Sequence, residues 1–173
     1  LSIHYGKERK VRLDSGQKKK FHQALEKAGV DLIIGHHPHV VRAVEKVGDK
    51  VVFYSLGNYL IRGARNMAPF PDAQDYGLFG RLYLSYDEAA GRLRPQAAEV
   101  IPLTDMHMVA KPLPAAEARR RVEVLNDLSR KDGGRDALVF DVRKDGRGVA
   151  CFGESPGERA RKLCARPPAG DAR

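Results

Sequence analysis

Three of the six histidines stand within four residues: His36, His37 and His39, directly behind the apolar run Leu32-Ile33-Ile34-Gly35. Sheet interiors gain nothing from clustered imidazoles, whereas neutral imidazole is the commonest protein ligand for transition metals. In an extended segment residues i and i+2 point the same way, so His37 and His39 are expected to face one side and His36 the other. Pro38 between the pair has a fixed φ and no N–H, which ends a strand and stiffens the backbone. Three imidazoles with an open position suit Zn, Mn or Fe, and such an ion lowers the pKa of a bound water and polarises a phosphoryl oxygen. The competing reading is a polar loop, or a hydrogen-bonded histidine cluster with only adventitious metal affinity.

The third imidazole would be His4, which depends on the elements around it. Leu1-Ser2-Ile3 reads as the end of a buried strand, with His4-Tyr5-Gly6 where that strand opens into a loop. Asp14 or Ser15 caps a helix in which Phe21, Ala24, Leu25 and Ala28 repeat at helical spacing, and Gly29 stops it. A strand over 30–34 follows. Strand, helix and strand make a βαβ unit with parallel strands and a right-handed crossover, so His4 and the histidine cluster leave the sheet at the same carboxyl edge.

Further along, 40–47 and 50–54 are expected to pair as an antiparallel hairpin, and 62–75 to form a long loop. Alternation over 78–86 and 93–101 predicts two more strands, proline residues 102, 112 and 114 bracket a connector, a helix runs from Ala115 to Ser129, and a last hairpin joins 137–142 to 148–152. Residues 1–152 read as one domain and 153–173 as a disordered basic tail, because Gly, Pro, Arg and Lys dominate there. The opening residues read as the middle of a fold, so the chain is expected to be a carboxyl-terminal portion of something longer. Asp105-Met106-His107 has an Asp-x-His spacing but lies in the Pro-flanked connector, and His22 is expected to be solvated on its helix.

Hydrophobic residues make up 42% and charged ones 31%, which suits an ordinary globular domain, and no apolar run approaches the roughly 18 residues of a membrane span. The net charge of +9 permits attraction to a polyanion. Nucleic acid is disfavoured as that partner, because the aromatic-rich signatures of RNA- and single-strand-binding modules are missing. Cys151 and Cys164 lack metal-type spacing, and a single pair of thiols is no disulfide framework, so the redox compartment stays open.

The series His4-Tyr5-Gly6, Ala28 to Val40 with its Gly35-His36-His37-Pro38-His39, Glu45, and Tyr54-Ser55-Leu56-Gly57-Asn58-Tyr59 resembles the CapA family. These are bacterial capsule, or poly-γ-glutamate, biosynthesis proteins related to calcineurin-like metallophosphoesterases. The resemblance implies an α/β fold that is part of a metallophosphoesterase-like α/β/β/α sandwich lacking its amino-terminal strands. It puts His4 in the place of an isolated histidine ligand and His37 and His39 in that of a pair, with His36 as a second candidate. Ser55 and Asn58 fall at the end of a strand that returns toward the site, where Asn58 could equally form a turn. It further implies two divalent transition ions (Mn, Fe or Zn) in the full-length protein, because the aspartates and Asn-His that complete such a site belong to strands preceding this sequence. The implied partners are an anionic polymer or phosphoester substrate and other capsule-synthesis components, at the cell envelope. The alternative is a non-catalytic polyanion-binding or assembly component of the same fold.

Overall fold

The computed structural model describes residues 1–59, 76–104, 109–153 and 157–165. The expected loop over 62–75 and the Asp105-Met106-His107 triplet fall wholly or largely outside these residues. The chain is mixed α/β, with two sheets and three helices among the described residues.

The amino-terminal half forms as its pattern predicts. Strand β1 (Ser2–His4) leads through a loop to α1 (Ser15–Lys27), whose N-cap Asp14 accepts a hydrogen bond from the backbone N–H of Gln17. β2 (Leu32–His36) pairs parallel with β1, and His4 stands directly opposite His36. β3 (Val44–Val47) and β4 (Lys50–Phe53) are the expected hairpin, and β4 pairs parallel with β2, giving the order β1-β2-β4-β3. The continuous strand begins at Val44, later than the predicted residue 40, but the pairing reaches further back in the same register: Val41 bridges Leu56, the Arg42 N–H donates to the Ser55 carbonyl, and the Tyr54 N–H donates to the Ala43 carbonyl.

The period of two divides this sheet between two cores. Ile33, Val52 and Tyr54 pack with Phe21 and Leu25 of α1, while Val51 and Phe53 face the second sheet. That sheet consists of β5 (Gly77–Asp87), β6 (Arg92–Thr104), β8 (Asp141–Val142) and β9 (Gly148–Cys151) in the order β5-β6-β9-β8. The short β7 (Lys111–Pro112) pairs with the end of β6, so the connector expected between Pro102 and Pro114 is partly sheet. Pro95 is accommodated by a register shift at Tyr83 and Leu84, where the ladder is irregular. Helix α2 (Ala115–Gly133) buries Ala118, Val122 and Leu125, of which Val122 and Leu125 join the inter-sheet core. It runs one turn beyond the predicted Ser129, to Gly133, which packs against Glu45 so closely that a Cβ would meet Glu45 Cγ at 3.2 Å.

The stretch from Gly153, expected to be a disordered tail, contains α3 (Glu158–Cys164). A Cys151–Cys164 disulfide ties this helix to β9. Composition suggested disorder because the stretch has little to bury; a covalent link adds to the slight constraint that the buried Ala160 supplies.

Candidate functional site

Each histidine position follows from how β1 and β2 end. Gly35 lies where β2 meets β4, and a Cβ there would stand 2.2 Å from the Tyr54 carbonyl oxygen, so only glycine permits the approach. His36 is the last residue of β2, and beyond it the backbone leaves the extended form: His37 and His39 have φ of 94° and 60°. The i, i+2 argument for their facing one way therefore fails in its premise, since the two rings are brought together by left-handed turns. Positive φ is uncommon for residues other than glycine, though histidine is among those enriched there, and such strain clusters at functional sites.

The outcome is a histidine cluster. His37 Nδ1 lies 2.8 Å from His4 Nε2, and the rings stand 4.5 Å apart. The His39 ring is 6.4 Å from that of His37, and its Nδ1 lies 2.7 Å from Asn58 Oδ1. With the amide oxygen accepting from Nδ1–H, the neutral His39 ring carries its lone pair on Nε2. His36 takes no part, because its Nε2 lies 2.9 Å from Ser2 Oγ. Ser55 is buried and its hydroxyl accepts from the backbone N–H of Gly57, so it shapes the turn that presents Asn58.

A buried polar framework supports the cluster. Arg42 is fully buried and donates to the carbonyl oxygens of Lys7 and Lys10 at 2.6 and 2.7 Å, and also to Gln17 Oε1. Gln17 in turn donates to the carbonyls of Tyr5 and Tyr54 at 3.0 and 3.2 Å. Burial lowers the Arg42 pKa, opposed by Asp14 and Asp132. The loop after β1 is thereby fixed, and the Arg9 N–H donates to the Pro38 carbonyl at 2.9 Å, joining that loop to the histidine turn. A second buried group, Glu45, accepts from the Tyr54 hydroxyl at 2.8 Å and contacts His22 and Lys18 at 2.7 Å each. His22 is thus not a solvated surface residue. Burial, then Glu45, pushes the Tyr54 phenol far above its ordinary value. None of these supporting roles was legible beforehand: an arginine or glutamine near a motif carries no signal of burial.

The sequence model of the bacterial capsule synthesis protein family PGA_cap matches residues 1–62. Over this stretch the chain is similar to the CapA-type capsule biosynthesis proteins. It is similar to the "PGA biosynthesis protein CapA" of Bacillus subtilis (strain 168), 50% identical over 38 residues, which are 22% of this chain and 10% of that protein. It is also similar to the "Capsule biosynthesis protein CapA" of Bacillus anthracis, 35% identical over 60 residues, 35% of this chain and 14% of that protein. The chain thus matches a small fraction of the length of these relatives. Every residue of the histidine cluster, with Ser55 and Asn58, lies inside the stretch that carries the CapA match.

The CapA resemblance implies a metal, and the donors fit one in kind: neutral imidazoles suit Zn, Mn or Fe. Their arrangement is that of a hydrogen-bonded pair. Two nitrogens sharing one ion at about 2.0–2.1 Å in a tetrahedral site stand roughly 3.3 Å apart, farther than the His4–His37 separation. Among the described residues no group of three or more His, Cys, Asp or Glu side chains is arranged to hold an ion.

Proposed function

We propose that this chain acts in the synthesis or export of an anionic capsular polymer, and that its histidine edge contributes to a metal-dependent phosphoester site within a metallophosphoesterase-like sandwich. The observation that carries this reading is the convergence of His4, His37 and His39 at one sheet edge, with His39 oriented by Asn58 so that Nε2 is available. His4, His37 and His39 would hold a divalent transition ion, Mn, Fe or Zn, with His36 as a second candidate after a turn of its ring. When bound, such an ion would lower the pKa of a water and polarise a phosphoryl oxygen. The chain's own residues do the positioning: Arg42 and Gln17 hold the β1 loop, Gly35 lets β2 lie against β4, and Asn58 selects the His39 tautomer.

The cell envelope is the proposed location. The Cys151–Cys164 disulfide supports it, because such bonds persist mainly in oxidising compartments. No helix among the described residues is long and apolar enough to cross a membrane. The proposed partners are the anionic polymer or a phosphoester and other capsule-synthesis components.

A second reading, a non-catalytic polymer-binding or assembly component, is favoured by the self-paired His4 and His37. Elemental analysis of the full-length protein purified from its host, beside His37→Ala and His39→Ala, separates the two. The metal reading expects bound ion in the parent and marked loss in both variants, together with phosphodiesterase turnover that falls in parallel. Metal content unchanged by both substitutions would sink it.

A further inference from the structure

Helix α3 is held over the second sheet by little besides one covalent bond. Alternation sends Ala98, Val100 and Ala150 into the inter-sheet core and turns Glu99, Val149 and Cys151 to the outer face, where α3 packs on β6 and β9. Of its seven residues only Ala160 is buried, and no side chain caps its first turn. A helix this short is unstable in isolation, because even good helix formers need roughly 12–15 residues to offset the cost of the first turn. Among the described residues one hydrogen bond joins it to the body, from Arg143 to the Leu163 carbonyl at a long 3.5 Å.

Charge works against this docking. The helix carries Arg159, Arg161 and Lys162 against Glu158, and Glu158 is engaged within the helix by Lys162 at 2.6 Å. The face beneath presents Arg81, Arg143, Lys144 and Arg147. Its carboxylates are held by its own arginines: Glu99 by Arg81 and Arg147 at 2.9 and 2.6 Å, and Asp145 by Arg147 at 2.7 Å. Among the described residues no ion pair crosses from α3 to the sheet. Like charges therefore meet across the seam, and the Cys151–Cys164 bond keeps them there. Cys151 is exposed and Cys164 half-buried, so a thiol in solution has access to that bond.

We infer that Cys151–Cys164 is a redox latch: α3 is docked over the outer face while the disulfide stands, and it comes away and loses its helix when the bond is reduced. The reductant is a dithiol. One of its thiolates attacks the exposed Cys151 Sγ, the S–S bond breaks, and Cys164 leaves as a thiolate. The second thiolate then displaces Cys151 and closes the reductant's own disulfide. Two electrons pass from the dithiol to the cysteines, which end as thiols with the two protons it gives up. The step opens the space under α3, where Tyr83 and Val149 lie. It leaves the inter-sheet core closed, because every buried member of that core precedes Cys151. The face is thus covered in an oxidising compartment and open in a reducing one. The inference does not depend on what the histidine edge binds.

Hydrogen exchange of the 173-residue chain, oxidised and then treated with dithiothreitol in the absence of denaturant, tests it. Exchange at the α3 amides should rise by roughly tenfold or more on reduction, while β2, β4 and β6 keep their protection. Cys164→Ser should reproduce the reduced pattern with no reductant present. In that variant, at low salt, adding Lys144→Glu should slow α3 exchange by about twofold or more. Lys27→Glu on α1, the same charge change at an exposed position away from the face, should leave it unaltered. The latch is overturned if α3 is equally protected in both states, or if dithiothreitol reaches the disulfide only after the chain is unfolded. Protection lost throughout both sheets on reduction would also overturn it, since the bond would then staple the whole fold. So would α3 exchange indifferent to Lys144→Glu, which removes the opposing charge from the device.

Discussion

The two sheets each keep a glutamate fully buried, and they do so differently. Glu45, on the first sheet, meets a phenol, an imidazole and one ammonium, all within the packed layer between α1 and β3–β4. Glu99, on the second, is met by two guanidinium groups that are themselves about half exposed. The first arrangement serves a rigid support: Glu45 ties α1 to the β3–β4 hairpin, while Arg42 and Gln17 fix the loop after β1 through hydrogen bonds. The second serves a charged surface in which buried acid cancels part of the arginine charge and leaves the rest outward. The histidine edge thus depends on close backbone packing, and the outer face on ion pairs and one covalent link.

The sharpest way to break that contrast is Gly35→Ala. With a Cβ forced to within 2.2 Å of a backbone oxygen, β2 must move from β4, and a loss of about 4 kcal/mol or more is expected, visible as a collapsed denaturant midpoint. A folded variant with an intact histidine signature by NMR would show that the close approach is dispensable. Reducing Cys151–Cys164 comes next. Closing a loop of this length is worth about 3 kcal/mol in chain entropy, and the loss should be confined to α3 and β9 in hydrogen exchange, leaving the histidine edge protected.

Tyr54→Phe is expected to cost about 1–3 kcal/mol, because Glu45 loses a buried donor. It also sharpens the pH behaviour. Burial holds the phenols of Tyr54 and Tyr76 above their ordinary value of about 10. A group whose folded pKa is raised contributes stability that is fully present below its unfolded pKa and is lost as pH rises beyond it. Stability should accordingly decline above about pH 10 as the unfolded state ionises, and the decline should be shallower in Tyr54→Phe when followed by denaturant titration. The smallest effect belongs to Asn58→Ala, about 1 kcal/mol or less in stability. Its informative readout is the His39 tautomer by nitrogen NMR, which should lose its preference for Nδ1–H.

Much of the first sheet was legible because its signals are local. The helix capped by Asp14, the apolar strand ending at His36 and the hairpin across Gly48 all rest on periodicities and turn residues that tertiary contacts reinforce. At β3 antiparallel pairing reaches back toward the predicted start, with Val41 opposite Leu56, while α2 extends to Gly133, whose close approach to Glu45 has no local signal. Helix α3 was missed for a related reason, since its composition resembles a solvated tail and a pairing between two cysteines has no local signature.

From sequence alone came the βαβ unit, the histidine-bearing edge and the CapA-type motifs, since each is written in residue types at fixed spacing. Tertiary structure decided which imidazoles meet. His37 and His39 converge through left-handed backbone and His36 turns to Ser2, a choice that depends on how tightly Gly35 lets two strands approach. It also decided that the outer face of the second sheet is partly covered, because a crosslink between residues thirteen apart and the burial of Ala160 hold α3 against it.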